Sequence, residues 1–302
     1  MRAPEFSSNT LNAISKLLAK NPEYYTIWNY RRRVLQALFN REGAPPANLI
    51  ASDLQFLVPL MVQYPKCYWI WNYRMWLLDQ VKTHLELDQA VQFWKEEVGL
   101  VGKMLTRDER NFHGWDYRRH VILQLEELQQ VSMVESEFEY TTKMIRKALQ
   151  NFSALHYRSK LIPRLLSERN ASNTDRRKLF DQELDMMQEA LIDPFNQSAW
   201  FYHQYLMSTL DCAYPAADLI ITDLLDSDRQ RYLEQEIERI KEILEDYDDC
   251  KWIYQSLLQY HADFAAYVST PKDEVGQWLS ELQRLDPMRS KRWAHVQTIL
   301  KL

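Results

Sequence analysis

The sequence predicts an all-α fold: an α-solenoid of about seven antiparallel helical hairpins, filling one helical-repeat domain over residues 9–302. Three observations predict it. First, a short pattern recurs as Trp28-Asn29-Tyr30-Arg31, Trp71-Asn72-Tyr73-Arg74 and Trp115-Asp116-Tyr117-Arg118. Weaker copies follow at Leu155-His156-Tyr157-Arg158, Trp200-Phe201-Tyr202-His203 and Trp252-Ile253-Tyr254-Gln255. The anchors are spaced by about 43, 44, 40, 45 and 52 residues, a period that signals stacked helix pairs. Second, only 5 Gly and 11 Pro occur in 302 residues, which favours long helices over turns. Third, apolar residues recur at helical spacing and no strand alternation stands out.

The elements follow in order. Leu11, Ile14, Leu17 and Leu18 give a helix over 9–19. Asn21-Pro22 reads as an N-cap followed by Pro at the first helical position, and the next helix carries Trp28, Val34, Leu35 and Leu38. Gly43-Ala44-Pro45-Pro46 breaks it. A helix over 49–63 leads to Pro65, which restarts the chain and places Lys66 in a first helical turn. Ala90, Phe93, Trp94, Val101 and Leu105 form the stripe of a helix over 87–105, and Asp108 caps its successor. Helices are expected over 131–149, 152–166, 176–191, 194–210, 228–246, 251–264, 271–285 and 287–300. Residues 167–174 form a polar loop, Asp193-Pro194 and Asp286-Pro287 are joints, and 211–227 is a longer connection with a helical turn. Residues 1–8 are expected to be disordered or derived from an expression vector.

Composition excludes several classes. The formal net charge is −5 with no large basic block, which argues against nucleic acid as a main partner. Cys67, Cys212 and Cys250 are far apart and show no metal-ligand spacing, so no disulfide and no metal site of this chain's own are expected. No apolar run reaches the ~20 residues of a membrane span, and no signal peptide opens the chain. A reducing, cytoplasmic setting is the simplest expectation.

A residue that recurs in every repeat serves what every repeat needs. Trp28, Trp71, Trp115, Trp200, Tyr157 and Tyr202 therefore read as packing anchors, and Arg31, Arg74, Arg118 and Arg158 as partners of carboxylates or helix-end carbonyls. Positions that differ between repeats are more telling. Three residues ahead of the anchors stand Tyr25, Tyr68, Phe112, Phe152 and Gln197; five ahead stand Glu23, Lys66, Arg110, Gln150 and Phe195. A lysine in a first helical turn is disfavoured by the helix dipole, and it makes sense beside a bound anion such as a phosphate. A solvated lysine is the plainer alternative.

These repeats resemble the α subunits of protein prenyltransferases. The segments DERNFHGWDYRRHVI from Asp108, NFSALHYRSKLIPRL from Asn151, DPFNQSAWFYH from Asp193 and LDPMR from Leu285 are most similar to the type II, Rab-modifying geranylgeranyltransferase. The resemblance spans residues 9–289. It implies a helical crescent wrapped around a β subunit that holds a catalytic Zn2+ and the lipid pocket, with no cofactor bound by this chain. It implies transfer of geranylgeranyl from geranylgeranyl diphosphate to C-terminal cysteines of Rab GTPases, presented by a Rab escort protein. By position Lys66 and Tyr68 would contact the lipid diphosphate at the α/β interface, and Asn111 and His113 would lie near the active-site mouth. The sequence departs from the pattern at Leu155, where Trp is usual, and at Gln204, where Arg is common. The family's N-terminal extension and appended leucine-rich repeats are expected to be missing. Two alternatives are an α subunit shared by farnesyl and type I transferases, and a non-catalytic scaffold of tetratricopeptide type.

Chemically, a zinc-bound thiolate attacks an allylic carbon and negative charge grows on the departing diphosphate. A well-aimed cation or phenol there is worth ~10²–10³ in rate. For His113 the plain reading is a satisfied interface histidine. The acidic segment 228–249 reads either as a solvated face or as a docking surface for the escort protein.

Overall fold

The computed structural model describes residues 6–41, 43 and 45–302; most of the expected irregular start, residues 1–5, lies outside them. Among the described residues there are fourteen α-helices and no strand. They fall into two compact units, one ending at Met133 and one from Val134 to Leu302. In the first unit the helices are α1 (Ser8–Lys20), α2 (Tyr25–Phe39), α3 (Pro46–Gln63), α4 (Tyr68–His84), α5 (Leu87–Arg107) and α6 (Phe112–Gln129). They pack as the hairpins α1/α2, α3/α4 and α5/α6, and the inner helices α2, α4 and α6 also touch in succession. The second unit holds α7 (Val134–Lys147), α8 (Phe152–Glu168), α9 (Asn173–Ala190), α10 (Gln197–Ser208), α11 (Asp226–Asp246), α12 (Lys251–Asp263), α13 (Lys272–Leu285) and α14 (Ser290–Leu300). Here α8, α10 and α12 are the inner helices in contact.

The inner helices start later than the Asn-Pro and Asp-Pro signals predict. Asn21 closes α1 and Asp108 closes α5, while α2, α4, α6 and α10 are led by Tyr24, Cys67, Asn111 and Asn196. The cause is one turn repeated at every joint. The N–H of the residue leading each inner helix donates to the carbonyl three residues earlier, as in Tyr24 to Asn21, Cys67 to Tyr64, Asn111 to Asp108 and Asn196 to Asp193. The anchor indole then reaches back over this turn. Trp28, Trp71, Trp115 and Trp200 donate Nε1–H to the carbonyls of Pro22, Pro65, Glu109 and Pro194, at 2.7–2.9 Å. A carbonyl used in this way stays outside the helix, so Pro serves the turn rather than the first helical position.

The same bond re-registers the sixth repeat. Tyr254, not Trp252, occupies the anchor position, because its hydroxyl donates to Asp248 O six residues back at 2.9 Å. Smaller differences have local causes. Ser172 and Asp175 form a capping box, which starts α9 inside the stretch expected to be a loop. Leu17, part of the apolar period of α1, is half exposed, since this terminal helix buries Ile14 and Leu18 fully and Leu11 only in part.

The arginine anchors pair with carboxylates that alternate with them from helix to helix. Arg31 on α2 binds Asp53 on α3, whose Oδ2 accepts Tyr73 Oη on α4 at 2.6 Å. Arg74 on α4 binds Glu97 on α5 at 2.8 and 2.5 Å, and Glu97 accepts Tyr117 Oη on α6 at 2.5 Å. Arg158 on α8 binds Glu183 on α9, which accepts Tyr202 Oη at 2.7 Å. In the next repeat His203 stands in the arginine's place, between Glu236 Oε2 and Tyr260 Oη. Each carboxylate thus ties the arginine of one repeat to the phenol of the next. Burial pushes the hydroxyls of Tyr73, Tyr117 and Tyr202 well above the ordinary tyrosine range, and the adjacent carboxylates push further.

Candidate functional site

The unshared residue Lys66, and Tyr68 beside it, lie at the leading end of α4. Lys66 is not in the first helical turn, as expected from Pro65; it precedes Cys67 and sits in the Tyr64–Cys67 turn. Lying outside the helix, Lys66 does not carry the dipole penalty of a first-turn lysine. What remains is a cation held one step ahead of a helix N-terminus. Its side chain is 68% exposed, and its Nζ lies 3.6 Å from Asp108 Oδ2, across the α5–α6 turn. An exposed pair of that length contributes little, ~0–1 kcal/mol, and leaves the ammonium available to a stronger anion.

Tyr68 opens α4 and is 51% exposed. Its ring meets Trp69 edge-on at 5.1 Å and His113 at 6.1 Å. Asn72 Nδ2, one turn on, donates to its hydroxyl at 3.4 Å. His113 lies in the first turn of α6, stacked against Trp71 with 18° between the rings. Burial lowers the His113 pKa, while the nearby Lys66 backbone and Asp116 act in the opposite direction. Lys66, Tyr68 and His113 thus share one surface at the ends of two neighbouring helices.

Asn111 has a different place. It is 3% exposed, and both ends of its amide are used inside the chain. Its Oδ1 accepts from Gly114 N at 3.2 Å, capping α6, and its Nδ2 donates to Pro65 O at 2.9 Å. The latch recurs: Cys67 donates to Pro22 O, Asn196 to Leu149 O and Cys250 to Pro194 O. Asn111 therefore fixes the turn that carries Lys66.

Two groups beside the site escaped sequence reasoning. Arg32 Nη2 donates to Asn72 Oδ1 at 2.7 Å, and Asp108 partners Lys66. A signal for the first existed: Asn29 and Asp116 each have an arginine three residues on, whereas Asn72 is followed there by Met75.

A family model described as "Protein prenyltransferase alpha subunit repeat" matches residues 7–38, 50–81, 94–125, 134–165 and 180–210, the first five hairpins. The chain is 34% identical to the geranylgeranyl transferase type-2 subunit alpha of Schizosaccharomyces pombe, over 97% of this chain and 86% of that one. It is 30% identical to the protein of that name from Saccharomyces cerevisiae, over 96% and 85%. The Homo sapiens counterpart is 36% identical over 70% of this chain, which spans 35% of that longer protein. Among solved structures, one titled "Candida albicans protein geranylgeranyltransferase-I complexed with GGPP" aligns with 98% of this chain and 85% of its own, at 21% identity and TM-score 0.64, a likeness of fold.

Proposed function

Since the chain belongs to the protein prenyltransferase α-subunit family, we propose that it is the α half of a type 2 geranylgeranyltransferase. The carrying observation is its near full-length identity to two type-2 α subunits. In this reading it pairs with a β subunit, acts in the cytoplasm, and serves transfer of geranylgeranyl from its diphosphate to C-terminal cysteines of Rab GTPases brought by an escort protein. The family implies a metal, and the donors of this chain do not fit one. Cys67 and Cys250 are buried, engaged with carbonyls and raised in pKa by burial, Cys67 to about 11. Among the described residues no group of three His, Cys, Asp or Glu side chains converges. In this reading the Zn2+ belongs to the β subunit.

Lys66 and Tyr68 form this chain's contribution to the chemistry. In this reading the exposed ammonium and phenol, two residues apart at the leading end of α4, would meet the diphosphate and stabilise its charge more as the bond to the allylic carbon breaks. His113 flanks the pair, its ring beside those of Tyr68 and Trp71. Asn111 acts indirectly, holding the Pro65–Lys66 turn. The test is co-expression with a type 2 β subunit, followed by transfer to a Rab with its escort and to a short peptide with a C-terminal cysteine. Activity confined to the escorted Rab supports the reading. Efficient transfer to the peptide would indicate the farnesyl and type I class, and failure to bind any β subunit would leave a scaffold.

A further inference from the structure

We propose that Asn72, oriented by Arg32, turns the Tyr68 hydroxyl proton outward, so that Tyr68 meets an anion as a donor. The inference rests on the reading of Tyr68 given above. A guanidinium has only donors, so the Asn72 atom that faces Arg32 at 2.7 Å is its carbonyl Oδ1. The amide plane then places Nδ2 on the other side, where it meets the Tyr68 oxygen at 3.4 Å. An amide nitrogen can only donate. The phenol oxygen accepts from within, and its own proton must look elsewhere, out of a half-exposed position.

Arg32 is well fixed for this task. Its Nη1 donates to Asn29 Oδ1 at 2.8 Å, and its guanidinium lies over the rings of Tyr73 and Trp76 at 5.3 and 5.6 Å. The bond to the phenol sets this repeat apart: in the first repeat Tyr25 and Asn29 hold the same positions and Arg32 donates to Asn29, but among the described residues no hydrogen bond joins Asn29 to Tyr25. In the third repeat Asp116 takes the place of Asn72 and pairs with its own Arg119 at 3.1 Å, and Phe112, without a hydroxyl, takes the place of Tyr68. The second repeat has no arginine at that offset, so Arg32 reaches across from α2. The repeat that carries Lys66 is thus also the one in which a phenol is oriented from behind.

Asn72→Asp is the sharpest probe. The carboxylate keeps Arg32 and nearly the same shape, and Asp116 shows that this position accepts it. Its second oxygen accepts the Tyr68 proton and turns it inward. Single-turnover transfer is measured in the α/β heterodimer with saturating geranylgeranyl diphosphate. The expected result is a rate about tenfold lower or more, with α/β association unchanged. In a Tyr68→Phe background the same substitution should have no further effect. Asn72→Asp as fast as wild type, with Tyr68→Phe slow, overturns this inference alone. Equal slowing in both backgrounds makes Asn72 a packing residue and also overturns it. Tyr68→Phe as fast as wild type removes the reading of Tyr68 and the inference with it.

Discussion

Glu97→Gln tests the alternating ion-pair chain where it is most completely buried. Glu97 and Arg74 are each 3% exposed. Glu97 receives two N–H bonds from Arg74 and one O–H bond from Tyr117, while Arg74 Nη1 also donates to Leu54 O at 2.9 Å. The substitution keeps the volume and removes the charge, leaving a guanidinium enclosed among α3, α4 and α5 without its counter-ion. Breaking a buried pair from one side costs ~3–5 kcal/mol, whereas a half-exposed pair such as Arg169–Glu135 contributes ~0–1 kcal/mol. Urea unfolding followed by tryptophan fluorescence reads the loss, with Glu135→Gln as the comparison. Replacing both partners, Arg74→Met with Glu97→Leu, should cost less than either single change, apart from ~1–3 kcal/mol for the orphaned Tyr117 hydroxyl. A loss under ~1 kcal/mol for Glu97→Gln, equal to that of Glu135→Gln, would refute the view that these pairs join the repeats.

The buried phenols predict an alkaline limit. Burial raises Tyr73, Tyr117, Tyr202 and Tyr260 above the ordinary tyrosine value of 10.0, so their contribution is full below that pH and is lost as pH rises, because the unfolded chain ionises first. Unfolding midpoints should therefore fall above pH 10, and Tyr117→Phe should flatten that slope. His113 should titrate by NMR below 6.5, with its stability contribution full above 6.5 and lost as pH falls; a value at or above 6.5 would contradict its desolvation. Iodoacetamide at neutral pH should label Cys212 quickly and Cys67 and Cys250 only after unfolding, read by peptide mass spectrometry.

The helical fold and its hairpins were legible because a tryptophan, a tyrosine and an arginine return at a fixed spacing, on a background almost free of glycine. The joints were not. Asn21-Pro22 and Asp193-Pro194 look like caps, yet the anchor indoles draw those carbonyls into turns, and the helices begin three residues beyond each Pro. The carboxylates Asp53, Glu97 and Glu183 were invisible for a related reason. Each meets its arginine 22 to 25 residues away on another helix, where local periodicity carries no information. In the site, Lys66 stood out by differing between repeats, and Tyr68 only by standing beside it. The roles of Asn111 and Asn72 depend on what lies across from them. Asn111 reaches Pro65 O and Asn72 reaches Arg32, and neither contact has a spacing rule to reveal it.

Whether Lys66, seated in the turn that leads each inner helix, lends a cation to diphosphate departure comes down to one rate. Single-turnover geranylgeranyl transfer to an escorted Rab is measured in the heterodimer for wild type and Lys66→Ala, with α/β association checked by co-purification. The predicted result is an intact heterodimer and a transfer rate lower by ~10²-fold. An intact heterodimer that transfers at the wild-type rate would contradict it.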